Sequence, residues 1–234
     1  MTPTLLTGFP LGSSLGLVAA FEWLGQPYRL SRVHMPDDML TDAYGRINGR
    51  RETPVLLTGD APPLSETMAI ALWLAARDRD RRISFAPGTV QADRMHQFVG
   101  FLNTGFTGAF SPLWVALEMA DADEAYRAAL RRFGRDLVAR RHAQLEAMIA
   151  DSPYLLGEHP TLADAVFVGV ARWADFHDAI APGAYPKIRA LRARLEADPA
   201  VRFALAVEDG AALPASSAMT GLVPLAEALA GAGG

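Results

Sequence analysis

Hydrophobic and polar positions change period repeatedly over the first third of the chain, then settle into one period. Thr4-Leu5-Leu6-Thr7 is a short apolar run closed by Gly8-Phe9-Pro10 and reads as a strand. From Ser13 to Leu24, Leu17, Ala20, Phe21 and Leu24 share one helical face, and Gly25 is the stop. Tyr28 to Val33 alternates apolar and polar, as a strand does. Asp37 to Ile47 predicts a short helix opened by Asp37. Val55-Leu56-Leu57 and a very short segment near Leu64 bracket Thr58-Gly59-Asp60, a candidate hairpin turn. Glu66 to about Arg77 returns to helical spacing. The order is βαβαββα, an α/β unit of thioredoxin-like layout over residues 1–78.

The charge run from Arg77 to Arg82 and Pro87-Gly88 mark a linker over residues 79–88. From Thr89 onward nothing reads as a strand, and residues 89–234 predict an all-helical bundle. Gln91 to Leu117, Glu124 to Ile149, Leu162 to Phe176, Pro186 to Ala197 and Pro199 to Val207 carry helical spacing. Leu162 to Phe176 is apolar nearly all round, which predicts the buried central helix. The tail from Asp209 to Gly234, rich in small residues, is expected to wrap the surface or fray. The fold class is therefore α+β, with an α/β unit followed by an all-α unit.

Composition narrows the chemistry. The 234 residues suffice for two small units sharing a substantial core. A net charge of −4 offers no basic footprint, so nucleic acid is not an expected partner. There is no cysteine, which excludes disulfides, thiol nucleophiles and thiolate metal sites and fits a cytoplasmic protein. Met1 to Leu11 lacks Lys, Arg and a long apolar core, so no secretory signal is expected. No apolar run is long enough to cross a membrane as a helix. The five histidines show no ligand spacing, so no metal site is expected.

The candidate chemistry begins at Glu66-Thr67. A helix start presents unpaired N–H groups and partial positive charge, which suit a small carboxylate. An acid and a hydroxyl there can complete a pocket for an α-amino-acid end, although Ser65 capping an ordinary helix accounts for the same residues.

Asn48-Gly49-Arg50-Arg51-Glu52-Thr53-Pro54-Val55-Leu56, with Glu66-Thr67 following at the right spacing, resembles the glutathione S-transferase family. In that family the proline is cis and the residue before it pairs, strand-like, with the cysteinyl part of glutathione. The resemblance gives those roles to Pro54 and Thr53. It gives the γ-glutamyl carboxylate to Thr67 and the amino group to Glu66. Glu52 and Arg51 depart from the usual residues; the acid faces the carboxylates of glutathione, and Arg50 or Arg51 would compensate. Thr161-Leu162-Ala163-Asp164 resembles the family's buried capping box, with Thr161 as cap and Asp164 reaching back, a structural role.

Phe110-Ser111-Pro112-Leu113, Arg172-Trp173 and Tyr154-Leu155-Leu156-Gly157-Glu158 resemble the bacterial beta-class branch. Its catalytic cysteine, tyrosine and histidine are replaced here by Ser13, Gly8 and Thr107, so its mixed-disulfide chemistry cannot run. Ser13, with Ser14 next, is the candidate that donates a hydrogen bond to the glutathione thiolate at a dipole-positive helix start; helix capping is the competing role. Phe9, Leu11, Phe106, Phe110 and Trp114 are the candidate second-substrate pocket, or core.

The resemblance implies a homodimer that uses glutathione as co-substrate, without metal, to conjugate or reduce small apolar electrophiles. Two alternatives remain: a non-catalytic binding or scaffold relative, and a glutathione-dependent isomerase. Met68, Trp73 and Phe98 are apolar residues in excess of what one helical face needs.

Overall fold

A computed structural model describes residues 2–59, 61–119, 121 and 123–231. The first unit contains β1 (Thr4–Phe9), α1 (Leu15–Leu24), β2 (Tyr28–His34), a 3₁₀ turn (Asp37–Leu40), α2 (Asp42–Ile47), β3 (Val55–Leu57), β4 (Leu64–Ser65) and α3 (Thr67–Ala75). The second contains α4 (Val90–Gly100), a π-helical turn (Phe101–Phe106), α5 (Ser111–Glu118), α6 (Glu124–Met148) and α7 (Leu162–Ala171). It continues with α8 (Trp173–Phe176), α9 (Pro186–Ala197) and α10 (Pro199–Asp209). The expected turn at Thr58-Gly59-Asp60 lies partly outside the described residues, because Asp60 is not among them.

The sheet order is β4-β3-β1-β2-β5, and β5 (Met219–Leu222) comes from the C-terminal tail. This corrects the expectation that no strand follows Thr89. β5 runs parallel to β2, pairing Tyr28 with Met219 and Leu30 with Leu222, and α11 (Leu225–Gly231) then packs near α2. The Glu22 carboxylate holds the tail: it accepts from Ser216 Oγ, the Ser217 N–H and hydroxyl, and the Tyr28 hydroxyl. Burial first, and then the Glu22 charge, hold the Tyr28 phenol far above its ordinary range. Met219-Thr220-Gly221-Leu222 carries no alternating apolar signature of its own. Its conformation comes from pairing, a tertiary effect that local pattern does not encode.

Three expected helices are broken, each for a local reason. The helix over 37–47 splits at Thr41, which is extended (φ −69°, ψ 149°) and whose hydroxyl accepts from the Tyr44 N–H at 3.2 Å. The helix over 91–117 widens into the π turn, where the Thr107 hydroxyl donates to the Leu102 carbonyl at 2.8 Å; Pro112 then opens α5. The helix over 162–176 ends at Ala171, and Arg172 donates to the Gly169 carbonyl.

The two faces of the sheet feed different cores, as the two-residue period requires. Leu5 and Leu56 join the large core, which runs on through Phe21, Phe106, Phe167 and Phe203; Leu6, Val33 and Val55 meet Val223 and Ala228 on the other side. Phe98, expected to be surplus for a partner, is instead 1% exposed within the single chain. Every residue of α7 is buried, as its uniform apolarity predicts. α1 crosses α7 where Gly16 meets Ala165: a Cβ on Gly16 would stand 1.8 Å from the Ala165 carbonyl oxygen, so only glycine permits the approach. The capping box forms as read. Asp164 accepts from the Thr161 and Leu155 N–H groups at 2.8 and 3.0 Å, and Thr161 Oγ1 accepts from Ala163. Burial pushes the Asp164 carboxyl up to about 6 despite those donors.

Candidate active site

Sheet register brings the candidate residues to one end of the sheet. β3 runs antiparallel to β1 and to β4, so Leu6, Val55 and Ser65 lie in one row across three strands. The next residues beyond that row are Thr7 and Gly8 on β1, Pro54 and Thr53 before β3, and Glu66 after β4. The Thr53–Pro54 bond is cis, as the resemblance implies. Gly8 lies against Thr53: a Cβ there would sit 2.4 Å from the Thr53 hydroxyl and 2.6 Å from the Met35 sulfur. A side chain at that position collides, which gives a physical reason for glycine at the end of β1.

The start of α3 is built without a side-chain cap. Glu66 precedes it at φ 78°, a left-handed conformation that costs a non-glycine residue about 1–3 kcal/mol and concentrates at functional sites. The N–H groups of Thr67, Met68 and Ala69 and the Thr67 hydroxyl have no hydrogen-bond partner among the described residues. The backbone N–H and C=O of Thr53 are likewise unpaired among them. Thr53 Oγ1 lies 3.3 Å from the Met35 sulfur.

The two arginines of the preceding loop part company. Arg51, expected at the ligand, has φ 56° and donates to the Met39 and Thr41 carbonyls, with Asp42 3.6 Å away. Its guanidinium ties down the α2 region. Arg50 is the one that reaches the α3 start: it pairs with the Glu66 carboxylate, donates to Ser65 and lies 3.2 Å from Glu52. Arg50 thus neutralises the acid at Glu52.

The two serines also part company. Ser14 is fully buried, and its hydroxyl accepts from the Gly8 N–H at 3.0 Å and bonds the Thr7 hydroxyl at 3.0 Å. It fastens β1 to α1 and is closed to a ligand, which corrects its candidacy. Ser13 is half-buried, and its hydroxyl has no partner among the described residues.

The loop that carries Ser13 is held from the helical unit. The Leu11 N–H donates to Glu208 at 3.0 Å, the Trp173 indole donates to the Leu11 carbonyl at 2.8 Å, and Arg172 donates to the Gly12 carbonyl at 3.0 Å. Arg172 and Glu208 also pair with each other, at 13% and 12% side-chain exposure. Burial lowers Arg172 and raises Glu208 from their ordinary pKa values, against their mutual attraction. The Arg172-Trp173 pair was visible as a family mark, but its role was not; Glu208 gave no signal in the sequence.

The five candidates for an acceptor pocket divide. Phe106 and Phe110 are 0% exposed and pack with His142, Phe167 and Trp173, so they are core and line no open pocket. Phe9 lies under the Arg32 guanidinium, 3.9 Å from its ring centre, and edges His34. Leu11 and Trp114 remain partly exposed and are joined through Trp173, 5.3 Å from the Trp114 ring.

The chain is similar to proteins of known class. Residues 14–77 match the model for the glutathione S-transferase N-terminal domain, and residues 111–199 that for its C-terminal domain. The chain belongs to the glutathione S-transferase family. It is 32% identical over 117 residues to elongation factor 1-gamma of Schizosaccharomyces pombe, spanning 50% of this chain and 28% of that protein. It is 25% identical over 133 residues to glutathione S-transferase GstA of Escherichia coli O157:H7, spanning 57% of this chain and 62% of that one. The match thus spans between about a quarter and three-fifths of those relatives' own length. A glutathione S-transferase from Xylella fastidiosa superposes with a TM-score of 0.80 at 21% identity, covering 90% of this chain and all of that chain, which shows the shared fold.

Proposed function

We propose that this chain binds glutathione at the end of its sheet and directs the thiolate at small apolar electrophiles, by conjugation or reduction. The observation that carries the reading is the α3 start, where three unpaired N–H groups and the Thr67 hydroxyl follow a strained Glu66. These donors suit the γ-glutamyl carboxylate, and Glu66 suits the amino group. The unpaired Thr53 backbone suits the cysteinyl peptide as an added strand. The Ser13 hydroxyl then donates to the sulfur. A thiol of ordinary pKa near 8.5 is ionised more readily when its thiolate accepts a hydrogen bond. Trp114 and Leu11 offer apolar surface for the acceptor.

The test is calorimetric titration of glutathione into the wild type and Thr67→Val. The expected result is one site per chain in the wild type and about five- to tenfold weaker binding in the variant, the worth of one hydrogen bond. Absence of binding in the wild type overturns the reading.

One observation favours a non-catalytic role. Arg50 already occupies the Glu66 carboxylate that the amino group of glutathione would use. If that pair persists, glutathione is excluded and the chain serves in binding or assembly; Arg50→Ala would then bind glutathione where the wild type does not. The family's homodimer is carried over with the reading, with exposed Leu72 and Val90, at 44% and 81%, available near the start of the helical unit. Sedimentation at micromolar concentration tests it.

A further inference from the structure

The helical unit holds a cleft of about 400 Å³ between α6, the end of α7, α8 and α9. Ala171, Ala174, Ile180 and Ile188 make its walls largely apolar, and the Tyr185 ring stands beside them. The imidazole of His142 lines the floor, 4% exposed and 5.5 Å from the Tyr185 ring. His142 Nδ1 lies 2.8 Å from the Val138 carbonyl oxygen. A carbonyl only accepts, so Nδ1 carries the proton and donates. That leaves Nε2 as an acceptor, with no hydrogen-bond partner among the described residues. Burial pushes this imidazole down to about 4, so it is neutral around pH 7. Because His142 lines the cleft and Nε2 is unpaired among the described residues, a ligand donor entering the cleft can take it up.

The rim supplies the opposite chemistry. Arg192 is committed to Asp175 and Glu196, and Asp178 faces Arg135 at 3.7 Å. Arg189 lines the same rim and makes no ion pair among the described residues. From floor to rim the cleft thus presents a neutral acceptor, apolar walls and an unpaired cation. A site with few convergent polar groups in an apolar surround is the usual form of a small-molecule pocket. None of these residues belongs to the candidate site at the α3 start.

We propose that this cleft binds a small aromatic acid with a hydroxyl at the far end of its ring from the carboxylate. The hydroxyl donates to His142 Nε2, the ring lies among Ala174, Ile180 and Ile188, and the carboxylate meets Arg189.

The probe is 4-hydroxybenzoate, titrated into the full chain by calorimetry, with benzoate and 4-hydroxybenzamide as controls. The expected result is one saturable site with a dissociation constant below ~10 mM. Benzoate, which leaves Nε2 unpaired, should bind about tenfold more weakly. Arg189→Gln should weaken 4-hydroxybenzoate about fivefold or more and leave the uncharged benzamide unchanged. Ala174→Leu, which fills the wall, should abolish binding of both, with circular dichroism reporting whether that variant stays folded. Saturating glutathione should leave the affinity unchanged, because the candidate site at the α3 start shares no residue with the cleft. No saturable binding, equal affinity for benzoate, indifference to Arg189→Gln, or displacement by glutathione would each overturn the proposal.

Discussion

Two stretches of backbone, Pro10–Ser14 and Glu66–Ala69, stand at the same end of the sheet, and only the first is held by side chains of the helical unit. In the first, the Leu11 N–H and the Leu11 and Gly12 carbonyls are claimed by Glu208, Trp173 and Arg172 from the helical unit. The second leaves three N–H groups and a hydroxyl unclaimed. Unpaired backbone groups are the costly exception in folded proteins, so where they persist at an accessible helix start they are available to a ligand. Backbone held by side chains of another unit does the reverse and fixes a position. On this reading α3 binds, and the β1–α1 loop positions the Ser13 hydroxyl.

The clamp offers the hardest test of that contrast. Removing one member of a buried ion pair leaves the other charge uncompensated and typically costs about 3–5 kcal/mol. Arg172→Ala should therefore lower unfolding stability by about that amount in urea titrations. A loss under 1 kcal/mol would mean the pair is not buried in solution.

Asp164→Ala comes next. It leaves the N–H groups of Thr161 and Leu155 without an acceptor inside the protein, for an expected loss of about 2–3 kcal/mol. Unchanged melting would show that the α7 start is held by other means. This variant should leave turnover per folded molecule intact, since Asp164 touches neither stretch.

The two serines should exchange readouts. Ser14→Ala should cost about 1–2 kcal/mol of stability, from the lost bonds to Gly8 and Thr7. Ser13→Ala should leave stability within about 0.5 kcal/mol. Its turnover should fall roughly ten- to a hundredfold at nearly unchanged glutathione affinity. If Ser13→Ala is silent in turnover, a backbone N–H holds the sulfur or the chain is not a transferase.

The smallest effect concerns acidity. Burial raises Glu208 above its ordinary value of 4.5. The folded state then binds its proton before the unfolded state does. The contribution to stability is fully present below the unfolded value and is lost as pH rises through the higher folded value. Wild type should thus gain on Glu208→Gln as pH falls from 7 toward about 4.5. A wild type that loses on the variant over that range would show that attraction to Arg172 outweighs burial. The predicted sign agrees with the general finding that burying an ion pair costs more than its attraction returns. The clamp is therefore better explained by placement of the loop than by stability.

Much of this architecture was legible in local pattern. The order βαβαββα, the all-buried α7 and the Thr161–Asp164 box follow from periodicity and cap chemistry, which are short-range. The proposed binding end was marked by the resemblance at Thr53-Pro54 and Glu66-Thr67, and sheet register brings these residues to one end of the sheet. Residues whose roles depend on distant partners were not. Glu208 meets Leu11 across nearly the whole chain, and Arg51 resembles a ligand cation until its carbonyl partners at Met39 and Thr41 are known. Phe106 and Phe110 illustrate the same limit, since helical spacing marks a face without saying whether that face meets core or solvent. Ser13 and Ser14 differ by one position, and only the approach of Thr7 and Gly8 separates them.

The fifth strand gives the molecule a consequence in time. β2 is made early in synthesis and β5 late, with the whole helical unit between them. Until β5 emerges from the ribosome, the outer edge of β2 shows a bare row of N–H and C=O groups, the kind of surface that pairs with other chains. The two units therefore cannot mature as independent parcels, although one is translated before the other. A ribosome stalled after Gly210 should hold a nascent chain with α1 to α10 already made and its first-made sheet still unfinished.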